Sequence, residues 1–181
     1  MKSSNIDKRN DLSALLMQLP DKVELFARKD HNAVTAWTEW MGRAEAVLKG
    51  YDMPECSRLA GLRATILSAQ LAVSAAGKRR QVTEHCLDSI NVAQEVVNTP
   101  YEAVNAKVEG VHTLFRQIII PMRNAGLVSL DGVTDMTETI NTLLRQLSLN
   151  EQLSSGINGA IASIGKADVM RTIAQVLTEE I

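Results

Sequence analysis

From Val34 to Leu177 the apolar residues of this 181-residue chain recur at spacings of three and four, and nowhere do they alternate over a useful strand length. That spacing marks helices that each bury one face. It confines the fold to helix packed on helix. Aromatic residues make up only 3% of the chain, so Leu, Ile, Val, Ala and Met must fill the interior. Sandwiches and barrels draw instead on β-branched and aromatic residues. The expected architecture is an all-α bundle of about seven helices around a central, small-residue-rich helix over 58–77. That stretch holds no acid and, after Arg63, no charge, and it reads as mostly buried.

Taken in order, the polar residues 1–10 read as a disordered or loosely docked arm. Asp11 caps a short helix, Leu12 to Leu19, which Pro20 ends. Lys29-Asp30-His31-Asn32 breaks the pattern. A helix from Asn32 to Lys49 then carries Val34, Trp37, Met41, Ala44 and Leu48 on one face, and Gly50 stops it. After the central helix, one helix spans Arg80 to Asn98. The turn Asn98-Thr-Pro100 starts another, Pro100 to Asn124, with a kink at Pro121. Its stripe is Val104, Val108, Val111, Phe115, Ile118 and Met122.

Thr134 or Asp135 opens a helix that buries Ile140, Leu143, Leu144 and Leu147. Ser148-Leu-Asn-Glu151 reads as a capping box for a helix over Leu149 to Ile164. The last helix runs from Asp168 to Glu180. The expected organisation is a helical bundle over 1–127 with a flexible N-terminal arm, and a three-helix extension over 128–181 packed with it as one domain.

A net charge of −2 gives no global field that would drive the chain onto nucleic acid or an anionic membrane. The balance is uneven. Residues 1–90 carry 13 bases and 11 acids, and residues 91–181 carry 6 and 10. Lys78-Arg79-Arg80, with Arg58 and Arg63 on the preceding helix, is the basic concentration, and it is the candidate contact for phosphate groups. A straight helix would hold the two ends of this set roughly 20–30 Å apart. The two cysteines, Cys56 and Cys86, show no metal-like spacing, and free thiols in a cytoplasmic protein are the expectation. No run approaches the 20 or so apolar residues that a membrane span needs, and no secretory h-region precedes residue 10.

Arg80-Gln-Val-Thr-Glu-His85 spells R-x4-H. This spacing, or the R-x5-H counted from Arg79, resembles the Arg…His motif of HEPN-type helical ribonucleases over six or seven residues, with Gln81 (or Arg80, if Arg79 is the match) following the arginine. The resemblance implies RNA cleavage by Arg80 and His85 at a dimer cleft. On one helix the two side chains stand about 140° apart, so they converge only through a bend or a second chain. Glu109-Gly-Val-His112 is a Glu-x-x-His pair, but di-iron bundles use two such pairs and two further carboxylates. The chain has one pair, so no metal site and no cofactor are expected. The leading reading is a non-enzymatic, cytoplasmic helical interaction or adaptor subunit, acting on a protein partner or on itself through helix–helix contacts. The alternative is a nucleic-acid-contacting helical protein using Lys78, Arg79 and Arg80, with HEPN-like ribonuclease action through Arg80 and His85 as its enzymatic form.

Overall fold

A computed structural model describes residues 4–72, 78–128 and 135–179. It shows eight helices and, among the described residues, no strand: α1 (Asn5–Met17), α2 (Leu19–Ala27), α3 (Ala33–Gly50), α4 (Glu55–Ala72), α5 (Lys78–Asn124), α6 (Met136–Leu149), α7 (Ser154–Ile164) and α8 (Lys166–Thr178). The chain is thus an all-α multi-helix bundle. It divides into two compact units, Lys8–Ala103 and Met1–Asp7 with Val104–Ile181. Compactness places this division inside α5. The turn over residues 129–134 lies outside the described residues.

In the unit Lys8–Ala103 the core is built on α3, which buries Trp37, Trp40, Met41, Ala44 and Leu48. The two indoles stack at 5.0 Å and 11°. Each buried N–H has an acceptor: Trp37 Nε1 donates to Ser89 Oγ at 2.9 Å and Trp40 Nε1 to the Leu15 carbonyl at 3.0 Å. Against α3 lies α4. Gly42 leaves room for the Arg63 side chain, whose guanidinium carbon would lie 3.3 Å from a Cβ there.

The expectation of a mostly buried central helix is corrected. Among the described side chains of α4 only Leu59 and Ile66 are fully buried, while Gly61, Ala64, Thr65, Leu67, Ser68 and Leu71 are exposed. Lack of charge does not imply burial, because Gly, Ala and Ser lose little by facing water. Residues 73–77 of the stretch lie outside the described residues.

Further corrections concern helix ends. The arm expected over residues 1–10 is, from Ser4 onward, the start of α1. Ser4 Oγ accepts the Asp7 N–H at 3.1 Å, and Ile6 is buried. Asp11, expected as a cap, instead accepts the Tyr51 hydroxyl. Pro20 opens α2 rather than closing the helix before it. Pro100 does not end a helix either, for α5 runs 47 residues through both Pro100 and Pro121. A proline inside a helix costs about 3 kcal/mol. The buried stripe Ala93, Val96, Val97, Val104, Val108 and Val111 continues in phase across Pro100, and each buried Val contributes about 1.5 kcal/mol or more.

The second unit packs Val104, Val108, Val111, Phe115 and Ile119 of α5 in a core with the buried faces of α6, α7 and α8. The stripe follows the expected spacing to Phe115 and then passes to Ile119 instead of Ile118. Asp135 caps α6 as expected, accepting N–H bonds from Thr137 at 2.8 Å and Glu138 at 3.1 Å. The capping box at Ser148 is not formed. Ser148 is inside α6, donating to the Leu144 carbonyl at 2.8 Å, and α7 begins only at Ser154. Gly165, at φ +90°, makes the corner between α7 and α8 in a conformation that side-chain-bearing residues rarely adopt.

Candidate functional site

Lys29-Asp30-His31-Asn32 forms the turn between α2 and α3, with Lys29 in the left-handed region at φ +55°. Asp30 holds the turn by accepting the Asn32 N–H at 2.8 Å. Asn32 itself offers no side-chain bond to the first turn of α3. Val82 and Cys86 anchor the start of α5 in the core, which turns Arg80, Thr83 and Glu84 toward the α2–α3 turn. Between them lies a half-open groove of about 640 Å³. Phe26, Ala33 and Val34 supply its apolar surface, and Lys29, Asp30, His31, Arg80, Thr83 and Glu84 supply its polar groups.

Each carboxylate in this groove has one oxygen engaged. Glu84 Oε1 takes the Arg80 Nε–H at 2.9 Å, and Asp30 Oδ1 lies 3.5 Å from His31 Nδ1. The donors are less committed. Lys29 forms no ion pair with a described residue. The Arg80 side chain is 89% exposed and spends only its Nε.

The predicted site residues fall as follows. Arg80 lines the groove, whereas His85, part-buried on the same helix, does not. Their five-residue offset turns them about 140° apart. The imidazole that shares the groove with Arg80 is His31. The side chains of Lys78 and Arg79 lie outside the described residues. Arg58 pairs with Glu95 at 3.6 Å and Arg63 with Glu45 at 3.1 Å, so each has an acid of its own.

His112, the histidine of the Glu-x-x-His pair, has its Nε2 2.7 Å from Glu179 Oε1. Glu179 also meets Arg116 at 3.3 Å and accepts a bond from Arg123 through its carbonyl at 2.9 Å. Among the described residues no group of three or more His, Cys, Asp or Glu could hold a metal ion, and no helix is long and apolar enough to cross a membrane. The Cys86 thiol is buried, and burial pushes its pKa up to about 11, which leaves it un-ionised and a poor nucleophile near neutrality.

The second surface of note is the outer face of α4. Past Arg58 no exposed residue of this helix is charged. Ser57, Gly61, Ala64, Ser68 and Leu71 share one side, opposite the buried Leu59 and Ile66, and Leu71 is 87% exposed. The neighbouring α3 differs, for its exposed residues include Glu39, Arg43 and Lys49. No protein-family model matches the chain, and no curated protein or solved structure is significantly similar to it.

Proposed function

We propose that the chain is a helical interaction subunit that associates with a second copy of itself through the outer face of α4. The observation that carries this reading is the uncharged, outward-facing strip Gly61, Ala64, Leu67, Ser68 and Leu71. A helix on the surface of a water-soluble bundle normally turns charged residues outward. A face without charge is suited to its own copy, because a two-fold contact sets the same residues against each other and no like charges meet. The small side chains allow the two helices to approach, and Leu67 and Leu71 fill the space beside them. A strongly charged partner helix would find no counter-charge here. An 18-residue helix is about 27 Å long, so the contact is modest in area and association depends on concentration.

Sedimentation velocity over a concentration series tests this. The wild-type chain should rise from the 19.8 kDa monomer toward twice that mass. Leu71→Glu should hold it at the monomer with an unchanged helical circular dichroism spectrum. A wild-type chain that stays monomeric at its highest soluble concentration refutes the proposal. The nucleic-acid reading draws no support from Arg80, which shares its groove with the carboxylates of Asp30 and Glu84.

A further inference from the structure

We infer that the groove between the α2–α3 turn and the start of α5 binds a small organic monoanion, a carboxylate carried on an apolar body. Its volume of about 640 Å³ falls in the range of small-molecule sites. Phe26, Ala33 and Val34 offer the apolar surface such a body needs.

The polarity of the ligand follows from which groups are already paired. Asp30 is held in its own turn by the Asn32 N–H, and Glu84 is neutralised by the Arg80 beside it, so neither carboxylate stands as an uncompensated charge for a cation. The Lys29 ammonium and the terminal amino groups of Arg80 remain as donors toward a carboxylate. The size of the ligand charge follows from the balance of the lining. Lys29 and Arg80 are offset by Asp30 and Glu84, with only His31 in addition. A polyphosphate or a nucleic-acid backbone would meet two carboxylates here, whereas one carboxylate can be held by Lys29 and the free edge of Arg80 without bringing a second charge near them.

The site also carries its own reporter. The Phe26 ring meets Trp37 edge-on at 6.5 Å, so a ligand lying on Phe26 perturbs a buried indole.

The test is titration of the full chain, by tryptophan fluorescence and by calorimetry, with octanoate, benzoate and inorganic phosphate. Octanoate or benzoate should bind saturably, and phosphate should bind at least about tenfold more weakly. Lys29→Gly removes the ammonium while suiting the φ of +55° better than lysine does. It therefore separates loss of binding from loss of fold, and it should weaken the carboxylate about tenfold. Arg80→Gln should do the same, and His85→Ala should leave binding unchanged. Three results would each overturn the assignment: no saturable carboxylate binding, phosphate binding as tight as octanoate, or octanoate binding that survives both Lys29→Gly and Arg80→Gln. In the last case the probe has found an exposed apolar face elsewhere.

Discussion

The two compact units are built from the same kind of helix and are held together by different kinds of polar contact. In Lys8–Ala103 the fully buried side-chain hydrogen bonds are neutral, while the Arg63–Glu45 ion pair, at 3.1 Å, stays partly exposed. The Trp37 indole donates to Ser89, which donates to the Cys86 carbonyl at 2.7 Å, and Trp40 donates to a carbonyl. In Met1–Asp7 with Val104–Ile181 the core is aliphatic apart from Phe115, and its polar fastenings are ionic. Buried Asp168 accepts the Ser4 hydroxyl at 2.7 Å and the Asn5 N–H at 2.6 Å, and Arg171 reaches Asp7 at 2.8 Å. Glu179 is gripped by His112, Arg116 and Arg123. Neutral buried bonds are indifferent to salt, while partly exposed ionic ones weaken with it. The first unit should therefore be limited by its packing and the second by its charges.

The largest effect expected from this contrast is at Trp40. Trp40→Ala empties a fully buried site and removes the indole N–H from the Leu15 carbonyl, which keeps only the Gln18 N–H at 3.2 Å. The expected loss is about 3–5 kcal/mol of unfolding free energy. Both tryptophans lie in Lys8–Ala103, so fluorescence of the remaining Trp37 follows that unit alone during urea unfolding. Hydrogen exchange at α6, α7 and α8 follows the other. Equal loss of protection in those three helices would show one cooperative structure and end the comparison.

A second test uses alkaline pH. Burial raises the Cys86 thiol from 9.0 to about 11. The folded state thus holds this proton more tightly than the unfolded state does. The associated stability is fully present below about pH 9 and is lost as pH rises toward 11, a fall of roughly 3 kcal/mol. Cys86→Ala should flatten that part of the stability profile of Lys8–Ala103 when compared with wild type. The same slope in both proteins would mean that other groups carry the alkaline loss.

Legibility in the sequence tracked how local each determinant was. The stripe Val104–Phe115 and the Asp135 cap were readable because periodicity and capping are settled within a few residues. Pro100 misled because its local cost is outweighed by a buried stripe that spans many turns on both sides. The small-residue face of α4 misled for another reason: an uncharged helix face is compatible with burial and with exposure alike. The first ten residues looked too polar to dock. Their anchor, Asp168, lies more than 160 positions away and shows no pattern with them. The groove was half visible. Arg80 stood out in a basic run, but Lys29 and His31 read only as a turn, and just the packing of α5 beside α2 and α3 sets them together.

The smallest of the expected effects concerns that N-terminal anchor. Asp168→Asn preserves shape but turns an amide N–H₂ toward either the Ser4 hydroxyl or the Asn5 N–H, where an acceptor is required. One bond is lost and a nearly buried donor goes unpaired, which should cost about 1–2 kcal/mol. Amide exchange in the first turn of α1 and in α8 should rise, with fluorescence-monitored unfolding of Lys8–Ala103 unchanged. Acid should mimic the variant in part. The hydrogen bond from Arg171 holds the Asp7 carboxyl below its ordinary range. A depressed carboxylate lends stability above its unfolded pKa, and that share disappears as pH falls through the folded value. Protection of the α1 first turn should therefore fall with acid before Trp37 fluorescence changes. Simultaneous loss of both signals would place the anchor under the control of the tryptophan core instead of its own charges.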